Sequence, residues 1–186
     1  MHRHYGRERS EAVVSRPILI AFNPRTLTDM RIEMKTLIAA PVERCFDLSR
    51  SIDLHVLSTS GTGERAIAGV TSGMIASGEV VTWKGRHFGV MLTHQSLISA
   101  YDRPHHFQDS MLRGAFRTFV HDHYFEPHAG GTLMTDIMEF SAPLGLLGRL
   151  AEILLLKRHM RAFLERRNAC IKQTAESEKW KAYVSD

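Results

Sequence analysis

Long apolar runs are missing from this 186-residue chain. No stretch approaches the roughly 20 apolar residues that a membrane-crossing helix needs, so no integral membrane association is expected. Ile18 to Phe22 is too short for the core of a secretory signal, and no small-residue cleavage site follows it. Cysteine is scarce as well. Cys45 and Cys170 are the two present, both in segments that read as helix, which argues against a disulfide framework or a cysteine-based zinc site. Strong charge of one sign is also lacking. The net charge is +4, and residues 1–29 supply +2 of it through five arginines set against Glu8, Glu11 and Asp29. The remaining body carries only about +2, too little for an electrostatic nucleic-acid footprint. The glycines of Gly61-Thr62-Gly63-Glu64 and of Gly69 to Gly78 are not followed by Lys-Ser/Thr or by a helix, so they read as turns rather than a phosphate cradle. No cofactor is expected, and cytoplasmic residence is the default.

What the chain does have is histidine, eleven in all, and a long series of alternating segments. Residues 1–29 are rich in Arg and His, without periodicity, and hold Pro17 and Pro24. They read as a disordered extension or as sequence upstream of a true start at Met30. The domain proper is expected over 30–176, with 177–186 as a tail. Arg31 to Leu37 alternates as a strand, and Pro41 then suits the first position of a short helix through about Arg50. A second short helical or irregular piece follows to Leu57. Strands are expected at Glu64 to Val70, Glu79 to His87, Val90 to Tyr101, His106 to Arg113, Ala115 to Glu126 and Thr132 to Ser141. From Leu146 apolar residues recur at helical spacing through Met160, Phe163, Leu164 and Ile171, predicting one helix to about Glu176. Strand, two short helices, antiparallel strands and one long helix make an α+β fold.

The last two strands hold the main chemistry. Side chains alternate between the faces of a strand. One face therefore carries Phe119, His121, His123 and Phe125, and its partner carries Thr132, Met134, Asp136, Met138 and Phe140. A turn centred between Pro127 and Gly130 sets His121 opposite Asp136 and His123 opposite Met134. The face is apolar with a few polar groups set into it, the composition of a ligand-cavity wall. Trp83 and His87 share a face on an earlier strand, and Met91, Met111, Met134, Met138 and Met160 would make such a pocket adaptable. His121 and Asp136 read as a buried polar pair, a ligand anchor or a proton-transfer pair, joined by Asp109 if it faces the same way. His121-x-His123 supplies two metal ligands where a zinc site needs three. His94 or Asp136 are the candidates for a third, and no metal is expected. Arg158, Arg161, Arg166 and Arg167 read as a solvated helix face.

Several motifs in their order resemble the SRPBCC superfamily, the START-like or helix-grip proteins related to birch-pollen allergen and polyketide cyclases. They are Ala39-Ala40-Pro41-Val42-Glu43 with Phe46, Gly78 to Trp83, and the Asp102-Arg103-Pro104 to Phe107-Gln108-Asp109 corner. His121-Asp122-His123, Gly131 to Asp136 and Pro143-Leu144-Gly145-Leu146-Leu147-Gly148 complete the set. The resemblance, over about Met30 to Glu176, implies a curved antiparallel sheet wrapped around a long C-terminal helix with a cavity between them. It implies binding of a small hydrophobic or amphipathic molecule such as a lipid, quinone or polyketide. Trp83, His94, Asp109, Met111, Phe119, His121, His123, Phe125, Met134, Asp136, Met138 and Met160 are the expected lining. A cyclase or aromatase using His121 and Asp136 is the enzymatic alternative. A protein-interaction module acting through the basic helix is the other, and a homodimer is left open.

Overall fold

Pro41 ends the first strand and sits at the N-cap of the first helix, its fixed φ of −59° leading the chain into the turn. The computed structural model describes residues 29–141 and 155–184. Within them β1 (Asp29–Ile38) precedes α1 (Val42–Ser49) and α2 (Ile52–Ser58). Six strands follow: β2 (Arg65–Gly69), β3 (Val80–His87), β4 (Val90–Asp102), β5 (His106–Arg113), β6 (Thr118–His128) and β7 (Gly131–Ser141). The last long element is α3 (Lys157–Ala175). The Ser51 hydroxyl accepts from the Leu54 N–H, capping α2 and separating it from α1.

All strand neighbours are antiparallel, in the order β1-β7-β6-β5-β4-β3-β2. The register breaks between Gln95 and Ser96, between Ile98 and Ala100 in β4, and between Ala66 and Ala68 in β2. Such irregularities bend a strand and raise its twist, and the seven-stranded sheet is curved. Its concave face receives the short helices and α3. β6 and β7 bury alternate residues along most of their length, as the pattern predicts.

The β6–β7 register corrects the expected one. His128 pairs with Gly131, so the turn is Ala129-Gly130, with Gly130 at φ 83°. His123 therefore stands opposite Asp136, His121 opposite Met138 and Phe125 opposite Met134. Pro127 remains in the strand, opposite Thr132, rather than opening the turn. The pairing is displaced by two residues, and a shift of two leaves every side chain on its face. Gly131 admits no side chain, since a Cβ there would lie 2.0 Å from the Ile38 carbonyl oxygen.

Two apolar clusters fill the concavity. The first centres on Phe46, fully buried, which meets Tyr101, Phe107 and Phe125 edge-on at centroid distances of 5.4–5.5 Å. It includes Met134, Ile171 and Ala175. The second gathers Met30, Ile32, Phe119, Met138, Phe140, Met160 and Leu164. Leu146, Leu147, Leu150, Ile153 and Leu154, expected to start the long helix, lie outside the described residues, as do residues 1–28. Residues 177–184 pack back on the domain rather than standing free as a tail. Glu178–Ala182 makes a 3-10 turn, and Trp180, with the Arg44 guanidinium 4.1 Å from its ring centroid, packs with Tyr183 and Val184 on the first cluster.

Phe46→Ala should remove the hub of the first cluster and cost about 3–5 kcal/mol. Urea unfolding followed by far-UV circular dichroism would show the midpoint falling at unchanged slope.

Candidate functional site

Between the two clusters the sheet and helices leave a cavity of about 280 Å³. β3 and β4 contribute Val81, Trp83 and Ile98, β6 and β7 contribute Phe119 and Met138, and α3 contributes Met160 and Leu164. Alternation explains the strand contributions, because each of these residues points to the concave side. Six of the eleven histidines also face the cavity: His55, His87, His94, His121, His123 and His159. Five of them fall into two polar groups, and His94 stands apart.

The inner group is built around Asp136, which is 0% exposed. Its Oδ1 accepts from His123 Nδ1 at 2.7 Å and from His121 Nε2 at 3.1 Å. Arg167 Nη1 lies 3.4 Å from the same oxygen, and Asn168 Nδ2 donates to Oδ2 at 2.7 Å. Arg167 also donates to the Ser49 carbonyl at 3.0 Å. The far side of both imidazoles meets Asp109 of β5, whose Oδ2 lies 3.1 Å from His123 Nε2 and 3.7 Å from His121 Nδ1. Burial would raise the Asp136 carboxyl, but hydrogen bonds from His121 and His123 and the charge of Arg167 hold it well below the usual carboxylate range. Asp109 is likewise held down, to about 2, by the His123 hydrogen bond and neighbouring imidazoles acting against burial. Burial, reinforced by His123, lowers His121, so its imidazole is neutral at pH 7 and its Nε2–H donates to Asp136.

The outer group lies between β3, α2 and α3. Glu64 Oε2 meets His55 Nε2 at 3.0 Å, and Oε1 lies 3.9 Å from His87 Nε2. His87 Nδ1 is 3.1 Å from His159 Nε2. The His55 ring stacks on Trp83 at 4.1 Å between centroids. Against burial, the two histidines hold Glu64 at about 2. His94 stands apart, edge-on to Phe119 at 5.2 Å, and burial lowers its pKa.

Of the residues expected at a site, Trp83, His94, Asp109, Phe119, His121, His123, Met138 and Met160 line the cavity. Asp136 stands one layer behind. Phe125 and Met134 pack in the Phe46 cluster, and Met111 packs against the second cluster beside Gly114. These three are corrections to the expected lining. They share the inward face with the lining residues, but the cavity opens over only part of that face. Arg167 is a further correction, since it turns inward rather than joining a solvated face. Arg161 is exposed and pairs with Glu165 at 3.2 Å. Sequence reasoning also missed Asn168, His55, Glu64 and His159. A signal existed for Arg167 and Asn168. Leu164 and Ile171 are seven residues apart, and a helix face needs an inward position between them, which those two fill.

Asp136→Ala should cost about 3–5 kcal/mol, because it strands the buried Arg167 charge; Asp136→Asn, which keeps the Asn168 side filled, should cost less. Chemical denaturation of both variants checks the order. Glu64 titrates near 2 when folded against about 4.5 when unfolded, so its stabilisation is complete above about pH 4.5 and fades as pH falls toward 2. The stability gap between wild type and Glu64→Gln should shrink across that window.

No family model and no curated protein matches the chain. Solved structures do. The ginseng major latex-like protein 151 of Panax ginseng superposes at a TM-score of 0.60, with 15% identity over 81% of this chain and 99% of that one. TTHA0849 of Thermus thermophilus gives 0.59, at 15% identity over 80% and 99%. SA2116 of Staphylococcus aureus, described as a protein of unknown function, gives 0.58, at 12% over 80% and 97%. Among the described residues no helix is long and apolar enough to cross a membrane. A curved seven-stranded antiparallel sheet, two short helices after its first strand, a long C-terminal helix and these superpositions together establish a helix-grip α+β fold.

Proposed function

We propose that the protein binds a small hydrophobic or amphipathic molecule, of lipid, quinone or polyketide type, in the cavity between the sheet and α3. The observation that carries this reading is a largely apolar hollow of about 280 Å³ whose wall carries two clusters of polar side chains. Ligand pockets of this kind are about 300–1,000 Å³, so the fit is to a small ligand or to part of a longer one. Burial of apolar ligand surface supplies the affinity, and His121, His123 and Asp109 orient a polar end. Structures with the same fold support the architecture, while the ligand class rests on the lining.

The inner group also favours an enzymatic reading. A neutral His121 held by Asp136 at a cavity wall has the arrangement of a general acid or base, as a polyketide cyclase would use to fold and dehydrate a reactive chain. Of the arginines on which the basic-helix interaction reading rests, Arg167 is internal and Arg161 is paired with Glu165, which leaves Arg158 and Arg166 as exposed cations on that helix.

Native mass spectrometry of detergent-free protein beside an organic extract of the same sample should reveal a stoichiometric small molecule. Displacement of an environment-sensitive fluorophore should then be weakened about tenfold or more by Ser96→Phe, which places a ring in the cavity from a buried position on β4. A bound mass absent from wild type, together with fluorophore binding indifferent to Ser96→Phe, would defeat the binding reading. His121→Gln separates carrier from enzyme: a carrier keeps its affinity within a few-fold, and an enzyme keeps binding but loses turnover.

A further inference from the structure

The inner group has donors on two neighbouring strands that converge on one point. Asp109 Oδ2, from β5, stands 3.7 Å from His121 Nδ1 and 3.1 Å from His123 Nε2, both from β6. The donor atoms of the three side chains all lie within 4.8 Å of one another. Metal–ligand bonds of about 2.0–2.2 Å at tetrahedral angles separate ligand atoms by roughly 3.3–3.5 Å. Both separations measured from Asp109 fall within a few tenths of an ångström of that spacing.

The other nitrogen of each imidazole is already committed. His121 Nε2 and His123 Nδ1 both donate to Asp136 Oδ1, at 3.1 and 2.7 Å. With those nitrogens turned to Asp136, His121 Nδ1 and His123 Nε2 face Asp109, and His123 Nε2 lies within hydrogen-bond distance of its Oδ2 at 3.1 Å. A divalent cation can take the place of the proton that this contact holds between nitrogen and carboxylate. The same carboxylate behind both imidazoles is the outer-shell support that metal-bound histidines use to hold ring orientation. Arg167 and Asn168 lock Asp136 in turn, so the support is rigid. On the opposite side Asp109, His121 and His123 all face the cavity.

We propose that Asp109, His121 and His123 bind one divalent first-row transition metal ion of the zinc class, with Asp136 orienting both imidazoles from behind. Three protein ligands leave one coordination position, and it opens into the cavity. When the metal binds, any proton shared between His123 Nε2 and Asp109 leaves to solvent, and nitrogen and oxygen both donate to the ion. The open position would take an anionic oxygen of a ligand, a carboxylate or enolate. That last clause rests on the ligand-binding reading, whereas the metal site does not.

The test is titration of the chelator-treated full chain with Zn²⁺ by calorimetry, and with Co²⁺ by visible absorption. One saturable Zn²⁺ equivalent with proton release, and an intense four-coordinate Co²⁺ spectrum, are expected. Asp109→Asn keeps the shape of the site and should weaken Zn²⁺ by about a hundredfold. Asp136→Asn should weaken it about 10–100-fold as an outer-shell change. Glu64→Gln, in the outer group, should leave Zn²⁺ affinity within about twofold. The proposal fails if no saturable equivalent appears, if Asp109→Asn binds as wild type does, or if Glu64→Gln abolishes binding. Fluorophore binding repeated with excess chelator tests the cavity by itself, so failure of the metal site and failure of the ligand reading give different results.

Discussion

A carboxylate with no access to water is stable only where donors replace every hydrogen bond that water made. Asp136 has found its donors on two elements. His121 and His123 come from the neighbouring strand β6, and Arg167 and Asn168 come from α3. Asn168 also donates to Thr36 of β1, and Arg167 reaches the Ser49 carbonyl at the end of α1. One side chain thus ties the sheet centre to the long helix and to the first helix. The direction of α3 across the sheet depends on this contact as much as on Leu164 and Ile171. A slip of the helix by one turn would take Arg167 and Asn168 away from Asp136 and leave the buried Arg167 charge without its carboxylate.

That constraint explains how a cavity survives inside a small domain. Apolar side chains alone tend to close a gap, since each removed void restores packing contacts. Here the Asp136 network spaces α3 from β6 and β7, and Phe46 and its edge-on rings hold the far end of the sheet. The space between the two apolar clusters cannot collapse without breaking one of them. The irregular register of β4 adds curvature where the wall is needed. A rigid wall with fixed donors is also what a binding or catalytic site requires, because the donors need no reorganisation when a ligand arrives.

The helix-grip order was legible because it rests on local patterns. Alternation in β6 and β7 named the buried faces correctly. The register was not legible to the same degree: Pro127 looked like a turn residue, yet it stays in β6 and the chain reverses at Ala129-Gly130. Both registers bury the same side chains, so hydrophobic patterning could not choose between them. What changed was which group faces Asp136. The histidine group around Glu64 was hidden for a different reason. His55, Glu64, His87 and His159 come from four separate segments, and no spacing links them. Arg167 was misread because charge outweighed periodicity in assigning its side of the helix.

By itself, then, the sequence determined the element order, the inward faces of the strands, the absence of a membrane-crossing run and the presence of carboxylates and imidazoles on a shared face. Each follows from local rules, strand period, helix period and proline geometry, that need no knowledge of distant residues. Only the tertiary structure decided that Asp136 serves both imidazoles, that Asp109 closes them from the other side, that Arg167 points inward, and that Met134 and Phe125 are packing rather than lining. Those outcomes depend on contacts between residues as much as 118 positions apart, as Ser49 and Arg167 are. Desolvation and hydrogen-bond satisfaction act there between surfaces, and no stretch of chain records which surfaces will meet.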